Sequence, residues 1–316
     1  MALLRRKMVL AAAVETTTGP GTAETLEAAD AAMNVYNLEM QPTVDFTERP
    51  GQGGTLSPME GRLGAYSGQA SFQVELAGSG NDVSPVPLWA SALLTACGFY
   101  DNSDTYQLAS SFPAASGDVP RTVTLGAYVD GLYKQLHGCM GNAVFTFRPG
   151  EVVLVDFTFT GIWSEPTDVA LLAPTYPTVK PPRFASGTCT LAASTIYPSE
   201  ITTDLGNDVQ LRPDATKASG LAHAYIANRR ITGSMDLEAA LVATRNDWSN
   251  WTSLAEQALN IVVGSAGGND ITVNAPKIHF TDVQSADRNG LEVNEIAFQA
   301  NRSADAGDDE LTIAFT

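Results

Sequence analysis

Charge is scarce in this chain, and positive charge scarcest. Only 17% of its 316 residues are charged, below the ~25% usual for globular proteins. Lys and Arg total 18 against 35 Asp and Glu, a formal net charge of −17. The acid is evenly spread: residues 1–170 hold 18 acids and 8 bases, and residues 171–316 hold 17 and 10. Without a cluster of Lys and Arg, tight phosphate binding is disfavoured. A surface of this sign repels polyanions. Cysteine is equally sparse. Cys97, Cys139 and Cys189 stand far apart, odd in number and without a CxxC pair. They read as reduced, buried thiols of a protein made in a cytosol. No apolar run is long enough to span a bilayer. The start, with Arg5-Arg6-Lys7 before a short apolar run, mimics a signal peptide only faintly.

Catalytic signatures are missing too. The sequence holds no GxSxG, HExxH, P-loop or GxGxxG. Its three histidines, His137, His223 and His279, lack ligand spacing. His137-Gly138-Cys139 lacks the third group that a nucleophile and base require. The acidic run Asp305 to Glu310 lacks the alternating ligands of a calcium loop and reads as a solvated turn. Gly264 to Gly268 reads as a turn between strands rather than a phosphate cradle. The expectation is a protein with no catalytic residues, no metal and no cofactor.

What the chain does contain is itself, twice. Val35-Tyr36-Asn37-Leu38-Glu39-Met40 returns as Ile196-Tyr197-Pro198-Ser199-Glu200-Ile201, an offset of 161. Arg49-Pro50 returns as Arg212-Pro213 and Ser71–Glu75 as Ser234–Glu238, both offset by 163. Trp89 matches Trp251 at 162. Later, Phe157 and Phe159 match Ile296 and Phe298 at 139, so the first half holds an excess of about 24 residues, placed between Phe99 and Tyr133. Val123, Leu125 and Ala127 suggest an extra hairpin there. Five prolines between Pro166 and Pro182 resist helix and central strand, so the expected division is 1–165, a semi-rigid linker 166–183, and 184–316.

Both halves carry period-two patterns of half-buried strands. Tyr36, Leu38 and Met40 alternate with Asn37, Glu39 and Gln41. Phe72, Val74 and Leu76 alternate with Ser71, Gln73 and Glu75, and Val153, Val155, Phe157 and Phe159 with Leu154, Asp156 and Thr158. Arg148-Pro149-Gly150-Glu151 and Asp287-Arg288-Asn289-Gly290 read as hairpin turns. Further strands are expected near 196–205, 229–239, 271–282, 290–300 and 311–316. Each half has one helix. The first follows Ser84-Pro85, carries Leu88, Trp89, Ala92, Leu93 and Ala96 on its apolar face, and stops at Gly98. The second starts at Asn246 or Asp247 and carries Trp248, Trp251, Leu254, Ala255 and Ala258 inward. Long strands with one polar face expose edges, and a duplicated sheet domain can satisfy them by pairing around a closed ring.

In ordered series these features resemble the major tail tube protein of long-tailed bacteriophages. The resemblance runs through Leu3-Leu4-Arg5-Arg6-Lys7 with Val9-Leu10-Ala11 and Val14-Glu15-Thr16, the stretch Phe72 to Gly80, Pro87-Leu88-Trp89, Ala96-Cys97-Gly98-Phe99, and Asp308 to Ile313. It implies a mainly β fold of two tandem β-sandwich domains, each with one flanking helix, whose inner sheets join into a closed lumenal β-barrel. It implies trimeric, pseudo-sixfold rings stacked into a virion tube. The implied partners are further copies of the chain, a tape measure protein in the lumen, a tail terminator, and distal tail or baseplate proteins. The resemblance further implies that DNA passes without tight binding, that no membrane is entered, and that the protein is made in the host cytoplasm and resides in the virion tail. It implies that the 99–133 insertion decorates alternate sites outside the lumen.

On this reading the apolar strand faces turn outward and the polar faces line the bore. The candidates for that lining are Glu39, Glu75, Asp156, Glu200, Asp236 and Glu238, whose carboxylates repel phosphate. Two long connections, both opening Arg-Pro, are expected to reach the adjoining ring. Arg49, Gln52, Leu56, Met59 and Arg62 represent the first, and Arg212, Lys217 and His223 the second. The competing expectations are another virion protein (capsid decoration or baseplate hub) and a tandem β-sandwich ligand-binding module.

Overall fold

The fold is mainly β, about 50% strand and 6% helix, in a computed structural model that describes residues 3–16, 19–55 and 57–316. The first half contributes β1 (Met8–Val14), β2 (Val35–Thr47), β3 (Arg62–Glu75), β4 (Phe99–Asn102), β5 (Thr105–Leu108), β6 (Val123–Val129), β7 (Leu132–Phe147) and β8 (Leu154–Asp168). The second contributes β9 (Cys189–Leu191), β10 (Ser194–Thr195), β11 (Pro198–Asp204), β12 (Asn207–Pro213), β13 (Leu221–Arg229), β14 (Thr232–Glu238), β15 (Gln257–Val263), β16 (Ile271–Arg288), β17 (Leu291–Ala300) and β18 (Thr312–Phe315). Eight of them lie side by side in one curled sheet, in the order β16-β17-β14-β11-β7-β8-β3-β2.

The turns follow from local chemistry. Asn289 and Gly290 both take positive φ, 56° and 86°, as a two-residue turn between β16 and β17 requires. Gly150, at φ 85°, does the same work between β7 and β8. Strand periodicity then sorts the side chains. Phe72, Val74, Phe145, Phe147, Val155, Phe157 and Phe159 are all 3% exposed or less and share one face. Against that face pack Leu10 of β1, Leu93, Tyr106 of β5, Leu125 of β6, Ile261 of β15 and Phe315 of β18. Trp89 sits edge-on to Phe315, with ring centroids 5.9 Å apart, and 6.3 Å from Phe157. Each fully buried aromatic contributes about 1.5–3 kcal/mol. A single apolar cluster runs through both halves.

Several expectations need correction. Tyr36 is 43% exposed, not buried. Asn37 adopts φ 53° and a bulge shifts the β2–β3 register between Tyr36 and Glu39, which turns Tyr36 to the polar face. The first helical segment, 88–96, is π-wound over Ala90–Leu94 and closes at Gly98, φ 97°. The second, α1 (Asp247–Thr252), is capped by the Asn246 side chain, which accepts from the Ser249 amide, but it is short. Leu254 takes φ 53° and stops it. Trp248 and Leu254 are consequently 44% and 63% exposed, and Ala258 lies in β15. Pro166 falls inside β8, beyond Ile162, the last β8 residue that β3 pairs with, where a missing donor costs nothing. Residues 169–182 carry no regular element. The extra hairpin of the 99–133 segment is β4–β5 and does not lie at Val123, Leu125 and Ala127, which belong to β6 between β1 and β7; β5 pairs with β18, so this segment is stitched to β18.

Candidate assembly interface

The face of the curled sheet opposite the core is polar. The pairing register places Gln73, Asp156, Val144, Asp204, Thr232 and Gln299 in one row across six strands. Glu39, Glu75, Asp156, Glu200, Asp236 and Glu238 all project from this face. Glu75 accepts from Tyr36 Oη at 2.5 Å and Asn34 Nδ2 at 3.0 Å. Asp156 accepts from Gln73 Nε2 at 2.7 Å, and Gln73 Oε1 accepts from Asn37 Nδ2 at 2.8 Å.

The other four carboxylates meet arginine. Arg5 reaches Glu39 at 3.1 Å, Arg148 reaches Glu200 at 2.9 Å, and Arg288 reaches both Asp236 and Glu238 at 3.0 Å. Burial, the largest influence on Asp236, pushes its carboxyl up. Hydrogen bonds from Ser199, the Glu200 amide and Arg288 together outweigh it and hold the group below the usual range. Sequence reasoning missed these arginines. The signal was available: Arg148 and Arg288 share strand parity with Thr146 and Ala286, so they share the polar face.

The edges of this sheet matter as much as its face. Among the described residues β2 has a single strand partner, β3. At the other end, residues 279–288 of β16 pair only with β17. Midway, β11 of the second half joins β7 of the first, with Ile201 opposite Phe147 and Asp204 opposite Val144. That junction is an antiparallel ladder between β7, which follows β6, and β11, which leads into a hairpin.

The two long connections differ in shape. The first carries Arg49, Gln52 and Met59 in an exposed stretch outside any strand, with Arg62 opening β3. Leu56 lies outside the described residues. Below this tip, Phe46 faces Leu63 across the hairpin, 63% and 59% exposed. The second is itself a hairpin, β12–β13, folded over β7 and β8. Arg212 lies in β12, and Lys217 lies at the exposed tip, where Ser219 O accepts from the Tyr66 amide at 3.2 Å. His223 is only 7% exposed and packs on Gly138, so its side chain is turned into its own chain. Asn207 anchors the corner: its Nδ2 donates to the Cys97 and Gly141 carbonyls at 2.8 and 2.9 Å, and its amide to Asn142 Oδ1 at 3.0 Å.

Cys139 is fully buried and its thiol is pushed well up by that burial, while His137 shares a hydrogen bond with Ser164. Cys97 and Cys189 are also free and buried. Asp308 and Asp309 are engaged by Ser110, Arg229, Ser303 and Ala304, and among the described residues no group of three or more acids, His or Cys could hold a metal. Among the described residues no helix is long and apolar enough to cross a membrane.

Among the described residues the curled sheet thus has a dry face, a polar face and two strand edges that lack strand partners. Compared with models of protein families, residues 6–316 match the phage tail tube proteins, and the chain belongs to that family. It is a structural protein of the virion tail, not an enzyme, and it assembles into the tail tube with other tail proteins. No curated protein matches the chain.

Proposed function

We propose that this chain forms trimeric, pseudo-hexameric rings that stack into the tail tube, with the polar face lining a bore that conducts DNA during infection. The observation that carries this reading is the β7–β11 junction. Strand order repeats around it: β16, β17, β14 and β11 stand in the relation of β7, β8, β3 and β2. Pairing gives β14 the place of β3, and β11 that of β2, at a constant separation of 163; Pro198 corresponds to Val35, and Thr202 to Glu39. On this reading the chain is a duplication, and the two edges that lack strand partners among the described residues are the two sides of a junction already made once internally.

Copying that junction between molecules sets a register. Glu39 of one copy pairs with Ala286 of the next, as Thr202 pairs with Thr146, and Gln41 pairs with Gln284, as Asp204 pairs with Val144. Eight strands per chain make 3 × 8 = 24 in a trimer. At ~4.8 Å spacing and ~40° tilt the barrel is roughly 48 Å across, wide enough for duplex DNA. Carboxylates exceed guanidinium groups on the face that lines it, so phosphate slides rather than adheres. Before ejection the bore holds a tape measure protein, and the tube ends meet a tail terminator and the distal tail or baseplate. The exposed residues 48–55 and 57–60 extend beyond the sheet towards the adjoining ring.

The test is a mixture of Gln41→Cys and Gln284→Cys proteins, assembled and oxidised. Covalent dimers, with hollow tubes in negative stain, support the reading. Monodisperse monomers at high concentration, uncrosslinked and without tubes, overturn it.

A further inference from the structure

The second hairpin shows where the first one goes. Within the chain, Val209 pairs with Ile226 on the β12–β13 hairpin, and Ile226 Cδ1 packs on Gly98, 3.1 Å from the position a Cβ there would occupy. Moving back by 163 residues on both strands gives Phe46 and Leu63, which pair in the same way on the β2–β3 hairpin. These two large apolar side chains lie open to solvent, at 63% and 59%. Gly98 also has a counterpart. It is the left-handed residue that closes the first helical segment, and Leu254 is the left-handed residue that closes α1. Leu254 is 63% exposed.

We propose that the stem of the β2–β3 hairpin docks in trans on a second copy of this chain, with Leu63 and Phe46 against Leu254. This rests on the ring reading, since the β2 edge must first pair with the neighbour's β16. Once it does, the stem is carried over that neighbour's α1–β15 corner, as β12–β13 is carried over the 88–98 corner of its own chain. Three exposed apolar residues that are liabilities on a lone chain become one dry contact. The contact runs sideways within a ring, and the 48–61 tip remains free to extend along the axis.

The experiment mixes Leu63→Cys protein with Leu254→Cys protein, lets them co-assemble, and oxidises. The native thiols are buried and do not compete. Leu63→Cys with Leu241→Cys is the control, because Leu241 is exposed at 81%. The expected result is a covalent dimer at least ten times more abundant for the 63/254 mixture than for the control. If the 41/284 edge mixture crosslinks and the 63/254 mixture does not exceed its control, the ring stands and the trans docking is wrong. If neither crosslinks, both readings fall. A Phe46→Ser/Leu63→Ser double variant should keep the circular dichroism of the unassembled protein while losing tube formation. Normal tubes from it also overturn the docking.

Discussion

Ile201 stands opposite Phe147 in antiparallel register, and neither is exposed at all. This pair joins a strand of the second half to a strand of the first, so the two halves share hydrogen bonds and core across the middle of the eight-stranded surface. Removing the Phe147 ring opens a cavity in that ladder. Phe147→Ala should destabilise the unassembled protein by about 3–5 kcal/mol. Urea unfolding followed by tryptophan fluorescence measures it, and a midpoint within error of wild type would contradict the packing described.

Asn207 holds the corner from which the β12–β13 hairpin departs. Asn207→Ala leaves the Cys97 and Gly141 carbonyls without their side-chain donor, at a cost of about 1–3 kcal/mol. The hairpin should become more open to protease near Lys217, while cleavage elsewhere stays unchanged. Equal cleavage rates in both proteins would show that the network does not restrain the hairpin.

Glu15 is a buried carboxylate with four donors: the Thr122 and Thr124 hydroxyls and the Gly138 and Gly21 amides, at 2.6–2.8 Å. Burial, its largest influence, raises the carboxyl above the ordinary 4.5 despite these bonds. A raised folded value means that the native state binds the extra proton. The stability tied to it is full below about pH 4.5 and is lost as pH rises through the folded value. Glu15→Gln does not titrate. Its deficit relative to wild type should therefore be largest near pH 4 and should shrink towards pH 7. A deficit that does not vary with pH would refute the assignment.

Arg288 holds two carboxylates of the polar face together. Asp236 lies below the ordinary 3.8, so its contribution is present above that pH and is lost as pH falls through the folded value. Arg288→Ala should bring Asp236 back towards 3.8 and make the acid side of the stability curve shallower. The pair is partly exposed, so the loss at neutral pH is only about 1 kcal/mol and is smaller in high salt. Carboxyl titration by NMR reads the shift directly, and an unmoved Asp236 would rule out the coupling.

Deleting Gln52–Met59 removes the exposed tip and spares the Phe46–Leu63 stem. Rings should form and fail to stack, giving short discs in negative stain and a sedimentation coefficient that no longer rises with concentration. Full-length tubes from this deletion would exclude the tip from inter-ring contact.

The strands were written in the sequence because alternation needs only neighbouring residues. Phe72, Val74, Phe157 and Phe159 declare their buried face locally, and turns such as Asn289-Gly290 announce themselves by backbone conformation. The residues of the polar face follow from the same parity. Parity puts Arg148 and Arg288 on that face, but the carboxylates they meet were not legible, because Arg5, Arg148 and Arg288 reach them across strands that lie far apart in the chain. Tyr36 went astray through a single left-handed residue, Asn37, which no periodicity can show. Trp248 did so because α1 stops early, with Leu254 in the left-handed region just beyond it. Composition and pattern by themselves determined a β protein with a dry face and an acidic face, since those properties depend on one residue and its near neighbours. Only the tertiary structure decided which strands end up beside one another and which edges stay bare. Such pairings depend on how a long chain closes its loops, and that cost is not recorded at any one position.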